Sequence, residues 1–112
     1  MTANAVLLAF VRPADTSDEQ ELNRWYDEIH IPQLIERVPG VLGARRYRID
    51  ADQGAETPAP ANPYLAIYEI DPDDVSGTVD RINAALADGT LEMTTAIDLE
   101  SAPPVMHVFR PV

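Results

Sequence analysis

Residues 5–12, AVLLAFVR, form a run of strand length that is apolar at every position as far as Val11. Val6, Leu8 and Phe10 point to one side of such a strand, and Leu7, Ala9 and Val11 to the other. A strand that is apolar on both faces has to be covered on both faces. Residues 64–70, YLAIYEI, place the same demand on the fold.

Between these runs, PADTSDEQ supplies helix-start chemistry. Thr16 and Ser17 are N-cap types, with Glu19 and Gln20 three residues on, so either pair makes a capping box. Acidic residues crowd the first turn, where the helix dipole favours them. Leu22, Trp25 and Ile29 follow as one apolar stripe of a helix. Pro32 has no N–H to donate to the carbonyl of Glu28, which predicts a kink or a restart. Leu34, Ile35 and Val38 resume an apolar face, and Pro39-Gly40 ends the helix. Residues 41–49 read as a second strand. Residues 51–63, rich in Pro and Ala, are long for a connection and read as a mobile segment or a lid. Asp71, with Pro72 at the first position, predicts the cap of a second helix with a stripe of Val75, Val79, Ile82 and Leu86, closed by Gly89. Residues 90–104 suit neither period, and 105–110, VMHVFR, read as a last strand.

The order β-α-β-β-α-β predicts an α+β, ferredoxin-like fold: a four-stranded antiparallel sheet with both helices on one face. The first and third strands are central in that arrangement, and they are the most apolar. Arg45, Arg46, Arg48, His107, Arg110 and Pro111 fall on the other two, as suits sheet edges. The helices cover one sheet face only. A second copy, sheet against sheet, is the simplest cover for the other, so a homodimer is expected.

With 112 residues, one domain spanning 1–112 is expected, and a hydrophobic content of 46% argues for a globular core. Eight basic against 19 acidic residues leave a net charge of −11, unsuited to nucleic acid or anionic membranes as partners. The absence of cysteine excludes disulfides, thiolate catalysis and Cys-type metal sites. No apolar run is long enough to span a membrane, and the N-terminus lacks a basic leader region, so a cytoplasmic location is expected.

The stretch LNRWYDEIHIPQLIERVPGVLGARRYRI, residues 22–49, resembles the dimeric α/β-barrel superfamily, nearest to its EthD-type proteins. The resemblance rests on Trp25, Tyr26, His30, Pro32, Pro39, Gly40 and Val41. It implies the dimeric barrel built from two ferredoxin-like protomers. For chemistry it implies a range that includes polyketide cyclases, cofactor-free monooxygenases, muconolactone-type isomerases and haem enzymes. Fold alone does not choose among them.

His30 is the first candidate for chemistry. It lies four residues after Tyr26 and three after Asp27, so the three can meet on one helix flank. The imidazole can take and return a proton, Asp27 can orient it, and Tyr26 can donate to a substrate oxygen. The resemblance implies the same acid/base role. A histidine at a helix end, bonded to free carbonyls, is the plainer alternative. Trp25 suits the core or the wall of a pocket. Arg45 shares a strand face with Tyr47, while Arg46 and Arg48 share the other; an arginine there can clamp a substrate oxygen or simply pair with acidic neighbours. Tyr64 and Tyr68 share one face of the third strand, to line a cavity or to pack. His107 suits the same cavity if its face points inward, and otherwise packing. Asp71, Asp73 and Asp74 read as caps, so no metal site is expected, and neither a phosphate loop nor a nucleophile elbow is present.

These residues, taken with what the resemblance implies, lead to the expectation of a cofactor-independent enzyme for a small aromatic or polyketide-like molecule, using His-mediated proton transfer of the cyclase, isomerase or dehydratase kind. The alternatives are a non-catalytic small-molecule-binding protein of the same fold and a cofactor-free monooxygenase.

Overall fold

A computed structural model describes residues 3–112. Strands β1 (Ala5–Val11), β2 (Val41–Arg48), β3 (Tyr64–Ile70) and β4 (Val105–Phe109) form one antiparallel sheet in the order β2-β3-β1-β4. The two most apolar strands are central, as expected. The helices lie on one face. Ala5, Leu7, Ala9 and Val11 of β1 are buried beneath them, with Tyr64, Ala66, Tyr68 and Ile70 of β3. The alternate residues Val6, Leu8 and Phe10 are only half-buried, on a face that none of the helices among the described residues covers.

The first helical segment runs from a 3₁₀ turn, Thr16–Asp18, through α1 (Glu19–Trp25) and a π-helical turn, Tyr26–His30, into α2 (Ile31–Arg37). Its cap is Asp15, which accepts from the Ser17 N–H at 2.9 Å, rather than the expected Thr16 or Ser17. A carboxylate is the stronger acceptor for an orphan amide. The α-helix restarts at Pro32 as expected, with Pro32 in the first turn of α2, and a π-helical turn makes the join to α1. The Ile31 N–H reaches back five residues to the Tyr26 carbonyl, and this widened turn absorbs the missing donor. The widening rotates everything beyond it. The expected stripe through Ile29 and Ile35 gives way to Leu22, Trp25, Tyr26, His30 and Leu34; Ile29 is half-buried and Ile35 exposed.

Gly40 has φ +100° and packs against the second helix, α3 (Val75–Asp88); a Cβ there would lie 1.9 Å from Thr78 Oγ1. Asp71 does not cap α3. Its carboxylate accepts from the Asp73 N–H, forming a separate turn, and the helix begins after Asp74. Gly89 ends it in the left-handed region, as expected.

Residues 90–104 become an extended strap across the open end of the helix–sheet sandwich. A bridge between Pro13 and Ile97 ties it to the end of β1. Asp98 pins it: its carboxylate accepts from the amides of Glu100, Ser101 and Ala102 and from Arg12 Nε at 2.6 Å. The amide of Glu100 and the Arg12 guanidinium hold that carboxyl down to about 2. Among the described residues no helix is long and apolar enough to cross a membrane.

Candidate active site

A cavity of about 280 Å³ lies between the sheet, the helices and the strap. Its floor is Leu7, Ala9 and Val11 of β1, and one wall carries Trp25, Tyr26, His30 and Tyr68. The π turn assembles this wall. Residues five apart stand on different sides of an α-helix, but a turn closed by an i→i+5 hydrogen bond brings them to one side. The His30 imidazole therefore stacks on Trp25, with ring centroids 4.2 Å apart and planes at 18°. Tyr26 meets His30 edge-on at 5.3 Å, and Tyr68 does so at 6.4 Å. The Trp25 Nε1–H donates to the carbonyl of Glu92 on the strap at 2.8 Å, which fixes the indole and so the imidazole.

His30 is buried, and its Nδ1 has no hydrogen-bond partner among the described residues. Desolvation pushes its pKa down from 6.5 to about 4, so the ring is neutral at pH 7. Burial pushes the Tyr26 phenol up to about 12 against the opposing charge of Arg46, and raises Tyr68 well above the usual tyrosine range. Among the described residues, none that lines the cavity is Asp, Glu, Lys or Arg. The cavity is thus an apolar chamber with three neutral polar groups at one end.

The structure brings His30, Tyr26, Trp25 and Tyr68 together and separates the other candidates. Asp27 does not orient His30; its carboxylate is exposed and lies 3.4 Å from Arg46 Nη1. Arg45 and Tyr47 pair with Ile67 and Leu65 and so lie on the uncovered sheet face. Arg46, opposite Ala66, lies on the helix side, as does Arg48 opposite Tyr64. The Arg46 guanidinium lies 4.4 Å from the Tyr26 ring centroid and donates to Asn23 Oδ1 at 2.8 Å. A bulge between Val41 and Gly43 sets that parity, and strand periodicity alone leaves it open. Tyr64 is on the helix side but outside the cavity; its hydroxyl donates to Glu19, beside a more open depression at Arg48. His107 pairs with Leu8, so it lies on the uncovered face, opposite His30. The 51–63 loop does not line the cavity. The strap does, through Met93, Ile97 and Leu99. Its apolar residues are the only sequence signal for that role, and they are too few to show a period.

No protein-family model matches the chain, and no curated protein does. Solved structures do. An EthD-like protein from Ralstonia eutropha has 11% identity and a TM-score of 0.58 over 96% of this chain and 92% of that one. An ethyl tert-butyl ether D (EthD) family protein from Bacillus halodurans has 15% identity and a TM-score of 0.52 over 97% and 99%. HapK from Hahella chejuensis has 9% identity and a TM-score of 0.57 over 96% and 92%. At these identities the likeness establishes the fold, an EthD-like α+β arrangement over nearly the whole chain.

Proposed function

We propose that this protein is a cofactor-independent catalyst of proton transfer on a small aromatic or polyketide-like molecule, working as a homodimer. One observation carries the reading: a neutral imidazole with an unpaired nitrogen is held against an indole in the wall of an apolar cavity. A structural histidine would have its ring nitrogens bonded.

The imidazole takes a proton from a carbon next to a substrate carbonyl. The C–H electron pair becomes the enolate, and the Tyr26 hydroxyl stabilises its oxygen. In a ring closure the enolate carbon attacks a second carbonyl, whose π bond opens to an alkoxide, and the imidazolium returns the proton to it. Isomerisation returns the proton to a different carbon. No oxidant enters either balance. The depression of His30 to about 4 weakens it as a base by roughly 3 kcal/mol. An imidazolium–enolate pair roughly 4 Å apart regains about 4 kcal/mol at an effective dielectric constant of about 20. The base is therefore weak in the empty cavity and adequate once the enolate forms. Arg46, behind the Tyr26 ring, adds positive potential where that charge develops.

The dimer rests on the uncovered sheet face. Val6, Leu8 and Phe10 lie there with Leu65, Ile67 and Phe109, an apolar surface that a second sheet covers. Light scattering gives a mass of two chains if this is right and one chain if it is wrong.

The test of chemistry is deuterium exchange at the α-carbon of aryl alkyl ketones in D₂O, followed by NMR. Exchange above the buffer rate, lost in His30→Phe, supports the reading. Saturable binding of the ketone without exchange overturns it in favour of a non-catalytic binding protein. Oxygen uptake with a reduced phenol instead favours a cofactor-free monooxygenase.

A further inference from the structure

The cavity is polar at one end and open at the other. His30, Tyr26 and Tyr68 are buried and cluster within one ring-to-ring neighbourhood. Met93, Leu99 and Met106 also line the cavity, yet they are 46%, 58% and 43% exposed. A side chain that both lines a cavity and meets solvent stands at its mouth. Sheet register gives the direction. Tyr68 of β3 pairs with Leu7, and Met106 of β4 pairs with Ala9 on the far side of β1. The polar end is therefore over β3 and the mouth at the β4 edge, two strand spacings or about 10 Å away. With no charged residue in the lining among the described residues, the group that reaches the inner end has to be uncharged. The mouth is apolar on three sides, from two stretches of the strap region and the edge strand, so it accepts chain rather than water.

We infer that the cavity takes an amphiphile head first: an uncharged ring or short polyketone bearing a carbonyl or hydroxyl at the polar end, with an unbranched apolar chain leaving between Met93, Leu99 and Met106. This rests on the ligand site proposed above and names its substrate class. Met93, Leu99 and Met106 are then the residues that set chain length.

The chain has a single tryptophan, so quenching of Trp25 emission reports the cavity alone. The probes are phenol, 4-propylphenol, 4-pentylphenol and 4-heptylphenol, added to the intact protein. Affinity is expected to rise about fourfold for each methylene that stays buried. Leu99→Ser is expected to flatten the last steps of the series. Two carboxylated probes fix the direction. The long 7-(4-hydroxyphenyl)heptanoate is expected to bind within about threefold of 4-heptylphenol, its charge standing in water beyond the mouth. The short 3-(4-hydroxyphenyl)propanoate is expected to bind at least about tenfold more weakly than 4-propylphenol, its charge being trapped inside. A series flat in chain length, or equal exclusion of both carboxylates, overturns the inference while leaving the site. If not even phenol changes Trp25 emission, the site itself is wrong, and the inference falls with it.

Discussion

The imidazole of His30 lies flat on the indole of Trp25, five residues earlier, with ring centroids 4.2 Å apart. The two stack because a π turn separates them, directly before Pro32, which has no N–H to give. A backbone accommodation thus places the one histidine that lines the cavity. Four expectations follow from this arrangement and the packing around it.

His30→Phe keeps a flat ring on Trp25 and removes a buried, unpaired nitrogen. Thermal melting at pH 7 should show a protein within about 1 kcal/mol of the wild type, or slightly more stable. Any proton-exchange activity should disappear. A strongly destabilised variant means that His30 has a structural partner after all.

Lowering the pH should destabilise the wild type more than His30→Phe. An unfolded histidine takes up its proton near 6.5, while the folded one holds off until about 4. The unfolded state therefore binds more protons between those values, and stability falls as pH drops through that window. Above pH 6.5 the effect vanishes, and below pH 4 it levels off at roughly 3 kcal/mol. Melting curves of the two proteins from pH 4 to 7, with an imidazole NMR titration, check both the window and the sign. Parallel curves are the contrary outcome.

Arg46→Gln removes the cation beside Tyr26 and frees Asn23 and Asp27. The Tyr26 phenol, already at about 12, should titrate higher still, because only burial then acts on it. Stability should fall by about 1–2 kcal/mol, from cation–π contacts with Tyr26 and Tyr64 and a half-buried hydrogen bond. Ultraviolet titration of the tyrosines reads the first effect and denaturant unfolding the second. An unchanged tyrosine titration separates Arg46 from the site.

Gly40→Ala should be among the most damaging single-atom additions. It forces an L-residue to φ +100° and drives its methyl into Thr78, itself fully buried and bonded to the Asp74 carbonyl. A loss of at least about 2 kcal/mol is expected from overpacking and backbone strain together. Urea midpoints measure it, and Thr78→Ala combined with Gly40→Ala should recover part of the loss by opening space.

Much of the architecture was legible in the chain. The apolar parity of 5–11 and 64–70, the arginines of 45–48 and the prolines at the ends place the central and edge strands, because each constraint acts on its own residues through water and the sheet ladder. The pairing of Trp25, Tyr26 and His30 with Pro32 is likewise visible within one helix. Tertiary structure decided what each of these faces. Pro32 allows a kink or a restart, and only packing on the sheet selected a restart through the widened turn that puts His30 rather than Ile29 inward. The bulge near Val41 chose Arg46 over Arg45, since a one-residue change of register exchanges the two faces of a strand. Pairing of Leu8 with His107 sent that histidine to the uncovered face. The strap of residues 90–104 has no period of its own, so its role as the cavity wall depends on partners distant in the chain: Arg12, Pro13 and Trp25. Local periodicity records which residues avoid water, whereas a site depends on which of them meet, and that is settled by contacts between elements.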